Sequence, residues 1–243
     1  MNNESEIKLV ALDMDGTLTQ HRTKLEEKNK LILQQICNKY KAVIIGAGTC
    51  RRIYEQLDHF NIDIIGNYGM QQSTVSKIDG KDVLVIIKNI IVNTDKKMIE
   101  DKINKIRKIT GYTKFQGESV EFHESGAITF PLLGTKANIN EKLKFDPDRK
   151  KRRGIYDIVK NEFSDFTVFI GGSSSFDIVP KDFNKYVALK EYANNLGIDS
   201  DNIIYFGDDY GKGGNDEHIY KSEIRFVKVD DYNKFQDYAK ILL

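Results

Sequence analysis

Asp13 and Asp15 follow the apolar run of residues 7–12, and Gly16 and Thr17 come directly after them. On an extended segment a spacing of two points both carboxylates to the same side. Gly16 permits a sharp turn that a side chain would resist. Two acids held beyond the C-terminal end of a buried strand can bind Mg²⁺ and attack a phosphorus atom. Asp and Gly are also common turn residues. The full D-x-D-G-T pattern in its strand context favours chemistry over a plain acidic turn.

Three further places combine with the first: Gly46-Ala47-Gly48-Thr49 after a second apolar run, Lys185 at a helix start, and Gly207-Asp208-Asp209 with Gly213-Gly214-Asn215-Asp216 just beyond. Each has a physical task. Asp13 can be the nucleophile that forms an aspartyl phosphate. Asp13 and Asp208 can bind Mg²⁺ through oxygen, with the backbone carbonyl of Asp15 as a further ligand. The Asp15 side chain is then free to protonate the leaving oxygen and activate the acceptor. The Thr49 hydroxyl and nearby N–H groups can hold phosphoryl oxygens. Lys185 offsets the clustered negative charge and binds the phosphoryl group. Taken singly, Gly46-x-Gly48 reads as a loop, Lys185 as a surface lysine and Asp208-Asp209 as a turn. Their ordered recurrence after strands raises all of them together. His21, His59, His123 and His218 have no metal-ligand spacing, and Cys50 reads as packing.

These residues need elements to position them. Residues 7–12, 42–45 and 62–65 read as strands, with helices over 24–40 and 51–59 between them, which predicts a parallel sheet with helices on its faces. The middle differs. Strands over 83–87, 127–133, 166–170 and 176–179 and helices over 95–109 and 148–163 predict an inserted α+β unit. The α/β pattern returns with a helix over 183–196 closed by Gly197, strands over 202–206 and 223–227, and a helix over 232–242. The expected fold is α/β: a Rossmann-like doubly wound parallel sheet core over 1–85 and 184–243, with an inserted α+β cap domain over 86–183. In such a sheet the strand-end loops open onto one edge, where ligands bind.

Composition narrows the function classes. The 243-residue chain has a net charge of +1, giving no global drive toward nucleic acid or membrane. Two cysteines argue against a disulfide framework and for a reducing, cytoplasmic setting. The chain opens with polar Asn2, Asn3, Glu4 and Ser5, without a signal pattern. No apolar run is long enough to span a bilayer. The short basic run of residues 149–153 reads as a solvated helix face. The expected partner is a small phosphorylated metabolite, and a homodimer through the cap is among the assemblies the chain allows.

The acid motif, Thr49, Lys185 and the Gly-Asp-Asp segment stand in the order of the haloacid dehalogenase superfamily of phosphotransferases, which this chain resembles. The insertion between the second and third motifs is similar to the larger cap type of that superfamily. Within it, DMDGTLTQHR, GAGTCRRIYEQL, GGSSSFDIVPKDFNKY and FGDDYGKGGNDEHIY resemble the eukaryotic-type phosphomannomutase branch. The resemblance implies Asp13 as nucleophile, Asp15 as acid/base and Asp208 as Mg²⁺ ligand. It also implies substrate contacts at Arg22, Lys142, Ser175, Asp177 and Asn215. The chain departs from the branch in the cap. Mutases of the branch grip the distal phosphate with cap arginines, and residues 121–142 contain none. His123 and Glu124, then Thr135 and Lys136, stand near the first two expected positions. Lys142 stands at the third, keeping the charge without the bidentate fork. The leading expectation is therefore a Mg²⁺-dependent phosphatase acting on a sugar phosphate. A hexose phosphomutase is the second, and a non-catalytic phosphate-binding protein the third.

Overall fold

Val10 and Leu12 pack into one apolar cluster and Leu9 and Ala11 into another, all four with no exposed surface, in strand β1 (Leu9–Leu12). A strand covered on both faces reads as an unbroken apolar run rather than an alternation. The structure, a computed structural model, describes residues 6–243, so the polar opening Asn2 to Ser5 lies outside the described residues. The chain continues with α1 (Glu27–Lys39), β2 (Lys41–Ile45), α2 (Cys50–Gln56), β3 (Asp63–Gly66), β4 (Gln71–Ile78) and β5 (Lys81–Asn89). Next come α3 (Lys96–Thr110), β6 (Glu121–Phe122), β7 (Ile128–Pro131), α4 (Ile139–Phe145), α5 (Lys150–Glu162), β8 (Phe166–Gly171) and β9 (Ser175–Pro180). It closes with α6 (Lys185–Asn195), β10 (Ile203–Gly207), α7 (Glu217–Tyr220), β11 (Arg225–Lys228) and α8 (Phe235–Ala239). Among the described residues no helix is long and apolar enough to cross a membrane.

The chain divides into two compact units. One takes in the chain up to Asn89, Asn184–Tyr210 and Asp216–Leu243, and the other Ile90–Phe183 and Gly211–Asn215. The first holds a seven-stranded sheet in the order β11-β10-β1-β2-β3-β4-β5. Its five strands from β11 to β3 are parallel. Successive strands run outward from β1 to β3 on one side, while β10 and β11 lie on the other. This reversal is the switch point at which α/β sheets bind ligands.

The sheet is longer than the sequence pattern predicts. β4 pairs antiparallel with β3, and β5 antiparallel with β4. β4 escapes the pattern because Gln71, Gln72, Ser73, Thr74 and Ser76 leave it too polar to read as a strand. The turn did carry a signal. Asp79 and Gly80 both adopt left-handed backbone (φ 50° and 78°), as a tight two-residue hairpin requires.

The second unit is an antiparallel sheet in the order β6-β7-β9-β8. Ile128, Phe130, Ile178 and Phe176 pack into one core with Ile99, Ile103 and Ile106 of α3 and Tyr156 and Val159 of α5. The basic run is not simply a solvated face. Arg152 is 1% exposed, and its Nε donates to Asp146 Oδ2 at 2.8 Å. Its Nη1 donates to the carbonyls of Gly171 (2.8 Å) and Gly172 (2.9 Å). Asp146 in turn accepts from the backbone N–H groups of Lys151 and Arg152 at the start of α5. Arg107 is likewise buried and donates to carbonyls of Tyr112, Pro131 and Leu132.

Candidate active site

Asp13 and Asp208 each lie just past the end of a strand, and the sheet register places those ends side by side. Leu12 of β1 pairs with Phe206 of β10, and Asp13 N–H donates to Phe206 O at 2.8 Å. The turn after β1 is tight. Gly16 N–H donates to Thr19 O at 2.8 Å, with φ +99° at Gly16. A Cβ there would fall 2.6 Å from the Asp208 carboxylate, so the missing side chain is a cradle for that acid.

Lys185 is not the surface residue its type alone suggests. Asn184 caps α6, its Oδ1 accepting from Val187 N–H at 2.9 Å, so Lys185 opens the helix. Its side chain has no exposed surface, and its Nζ donates to Asp13 Oδ1 at 2.5 Å and Asp216 Oδ1 at 2.8 Å. Asp216 also accepts from Tyr205 Oη at 2.6 Å and from Asp209 N–H at 3.0 Å. Oxygens of Asp13, Asp208 and Asp216 lie within 4.8 Å of one another. Burial pushes the Asp13 carboxyl well up, with Asp216 and Asp208 adding to the rise and Lys185 opposing it. On Lys185 burial acts downward, but the two aspartates outweigh it and raise the ammonium above its ordinary value.

Asp15 has a separate environment. Its Oδ1 accepts from Gln56 Nε2 and from Arg22 N–H, both at 2.7 Å. Its Oδ2 faces Arg52 Nη1 at 3.4 Å and His21 Nδ1 at 3.8 Å. Burial alone would raise this carboxyl, but His21, Arg52, Gln56 and the Arg22 N–H together hold it below its ordinary value. Arg22 thus serves Asp15 through its backbone, at a left-handed φ of 59°, while its side chain is exposed.

The remaining candidates are less concentrated. Thr49 Oγ1 caps α2, accepting from Arg52 N–H at 3.2 Å, which leaves its O–H free to donate. Cys50 N–H already donates to Gln71 Oε1 at 3.1 Å, and the buried Cys50 thiol faces Ile64 O at 3.5 Å. In the second unit Ser175 Oγ donates to Gly171 O at 2.9 Å, and Asp177 accepts from Thr129 Oγ1 at 3.3 Å. Lys142 Nζ donates to Thr135 O at 2.9 Å. Asn215 Oδ1 is buried without a hydrogen-bond partner. The structure therefore brings Asp13, Lys185 and Asp208 together, with Asp15 two residues along. It gives Asp216, Gln56 and Arg52 places in the same unit that sequence reasoning did not assign. Asp216 was visible only as the acid beyond Asp208. Arg52 and Gln56 stand four apart on α2, and that spacing was the available signal.

A family model for haloacid dehalogenase-like hydrolases matches residues 10–216. The chain belongs to this family. It is an enzyme of the family's phosphotransferase and phosphatase kind. Mouse phosphomannomutase 1 is 27% identical over 222 residues, covering 87% of this chain and 82% of that protein. The phosphomannomutase of Schizosaccharomyces pombe is 29% identical over 233 residues, covering 87% and 84%. Among solved structures, a Plasmodium falciparum IMP-nucleotidase bound to IMP superposes with a TM-score of 0.67 at 16% identity, covering 96% of this chain and 67% of that one. A haloacid dehalogenase-like hydrolase of B. subtilis gives 0.60 at 16% identity, covering 98% and 100%. These two likenesses speak to the fold.

The residues present fit a hard divalent cation. The donors of the acidic cluster are all carboxylate oxygens, the preference of Mg²⁺. The Lys185 ammonium pairs with two of the three carboxylates, Asp13 and Asp216. Asp216 already accepts from three donors, which leaves Asp13 and Asp208 the better ligands.

Proposed function

We propose that this enzyme is a Mg²⁺-dependent phosphatase that hydrolyses a small sugar phosphate through an aspartyl phosphate on Asp13. The convergence of Asp13, Asp208 and Lys185 at the switch point carries the reading. Asp13 and Asp208, with the Asp15 carbonyl, would hold Mg²⁺, which supplies charge neutralisation for the phosphoryl oxygens. Asp13 attacks phosphorus as the ester oxygen leaves; the anionic ester beside Asp15 opposes the groups that depress its carboxyl, and in its protonated form Asp15 gives its proton to that oxygen. Water then attacks the aspartyl phosphate while Asp15 takes its proton, releasing phosphate and restoring Asp13. Lys185 holds Asp13 in orientation and offsets the charge that gathers on the phosphoryl group. Thr49 offers its O–H to a phosphoryl oxygen. Arg22, Lys142, Ser175, Asp177 and Asn215 are assigned as substrate contacts by resemblance.

A second reading is a hexose phosphomutase, favoured by the similarity to phosphomannomutases. What weighs toward hydrolysis is the second unit. Residues 121–142 contain no arginine, and the Lys142 ammonium is engaged by a carbonyl. Arg107 and Arg152 are buried on backbone oxygens. A mutase must hold a second phosphate firmly, and charged grips of that kind are worth several kcal/mol. The test is phosphorus NMR of the protein with Mg²⁺, mannose 1-phosphate and catalytic hexose 1,6-bisphosphate. Inorganic phosphate alone supports the phosphatase, growth of mannose 6-phosphate establishes the mutase, and loss of turnover with EDTA supports the metal. Full activity in Asp13→Asn would sink both readings.

A further inference from the structure

We infer that Gln56 is the positioning residue for Asp15, fixing which oxygen of that carboxylate faces the reacting ester; the inference rests on the phosphoryl-transfer reading above. A lone carboxylate on a turn can swing about its side-chain bonds, and general acid–base catalysis tolerates little error in the proton's path. In this enzyme the Asp15 side chain is held from three directions. Oδ1 accepts from two N–H donors at 2.7 Å, the Gln56 carboxamide and the Arg22 backbone. Both are donors only, so Oδ1 cannot give a proton to either. Oδ2 is left as the working oxygen. It faces the Arg52 guanidinium at 3.4 and 3.5 Å and His21 Nδ1 at 3.8 Å, all looser than the contacts on Oδ1.

Gln56 is itself oriented from both ends of its amide. Its Oε1 accepts from Arg52 Nη1 at 2.9 Å. That contact fixes the flip state of the carboxamide, so Nε2 must point at Asp15. Nε2 also donates to Thr19 Oγ1 at 3.1 Å, and the Gln56 carbonyl accepts from Leu25 N–H at 2.9 Å. One side chain and one carbonyl thus tie the segment after Asp15 back to α2. Gln56 is 8% exposed, and Arg52 lies one turn earlier on the same helix face. Gly48 keeps the space open for the guanidinium: a Cβ there would fall 2.1 Å from Arg52 Nη2.

The proton balance gives the assignment a signature that a structural role would not share. In the first half-reaction the Asp13–phosphorus bond forms, the ester bond breaks, and Asp15 gives its proton to the leaving oxygen. In the second, the bond from water to phosphorus forms, the Asp13–phosphorus bond breaks, and Asp15 takes the proton of water. A leaving group as stable as nitrophenolate needs no proton in the first half but still needs the second. Misplacing Asp15 therefore slows phosphorylation by alkyl esters and dephosphorylation with every ester. It spares phosphorylation by nitrophenyl phosphate.

The experiment compares the intact chain with Gln56→Met, which keeps the shape and removes the amide, and with Arg52→Ala, which removes the partner of Oε1 from an accessible position. Each is assayed with Mg²⁺ on a sugar phosphate and on p-nitrophenyl phosphate, with pre-steady-state kinetics and thermal melting. In Gln56→Met, kcat/KM for the sugar phosphate is expected to fall on the order of 10- to 100-fold. For nitrophenyl phosphate it should stay within roughly 3-fold, with a new burst of nitrophenolate and accumulated phosphoenzyme. Arg52→Ala should show the same pattern at smaller size. Equal losses on both esters without a burst, in both variants, overturn the assignment and leave the phosphatase reading standing. If Gln56→Met melts early, its assays are run below its transition, where the folded variant decides, because Arg52 also touches Asp15 directly. A wild-type protein that turns over neither ester overturns the phosphoryl-transfer reading and this assignment with it.

Discussion

Both units bury a long cationic side chain, and the two are balanced differently. In the second unit Arg152 meets one carboxylate, Asp146, and the carbonyls of Gly171 and Gly172. Charge cancels one to one, every strong donor has a fixed acceptor, and the fork of the guanidinium is used to stitch a helix start to a strand end. In the first unit Lys185 meets Asp13 and Asp216, with Asp208 close by. One ammonium is shared by two carboxylates, and a point charge imposes little geometry on them. Burial is equal in the two places, so burial does not separate scaffold from chemistry. The crowding of like charges does: oxygens of three carboxylates lie within 4.8 Å of one another, a repulsion that a bound cation would relieve, whereas Arg152 and Asp146 form a closed pair.

The comparison can be broken in order of expected effect. Asp13→Asn should abolish turnover of phosphate esters by at least on the order of 10³-fold while the melting temperature holds. Retained phosphate release would remove the chemical side of the contrast. Lys185→Met should cost on the order of 10² to 10³ in kcat, the scale of losing one preorganised donor. Arg152→Met should act on stability instead, by about 3–5 kcal/mol in denaturant unfolding, because Asp146 is left buried and unpaired. Adding Asp146→Asn to it should recover part of that loss, since no uncompensated charge remains.

Gly16→Ala tests the cradle. The backbone at +99° and the approach to Asp208 predict a cost of roughly 1–3 kcal/mol. Mg²⁺ affinity by calorimetry should weaken roughly 10-fold, because Asp208 must move. An alanine variant with unchanged affinity would mean that Asp208 is not positioned by this contact. The smallest effect is acid sensitivity of the second unit. Burial would raise Asp146, yet the Arg152 side chain and the N–H groups of Arg152 and Lys151 hold it below its ordinary value. A carboxylate depressed in the folded state contributes stability above its unfolded pKa, about 4. That contribution is lost as pH falls through the lower folded value. Denaturant titrations from pH 5 downward should show this loss in the wild type and a flatter profile in Asp146→Asn.

What the sequence disclosed follows from the same contrast. Asp13, Asp15 and Asp208 were legible because acids directly after apolar runs are conspicuous and the spacing of two has one geometric meaning. The parallel core was legible from unbroken apolar strands. β4 was hidden because its polar side chains break the alternation. Arg152 was misread because a charge run carries no mark of which member turns inward. Gln56 was invisible because an amide has no charge signature, and its role arises only when α2 packs beside the turn. Asp216 sat in plain view, but its partner Lys185 is 31 residues away in sequence and only the fold joins them.

Cys50, next to Thr49 at the start of α2, has a consequence for handling and for measurement. Burial raises its thiol above the ordinary value, and the side chain has no exposed surface. A thiol kept protonated and shielded is a poor nucleophile. Alkylating reagents and peroxide should therefore reach Cys50 only when the β2–α2 corner opens locally. The rate of Cys50 labelling becomes a clock for that opening, and a bound phosphoryl mimic that slows the clock would report closure of the corner without any assay of turnover.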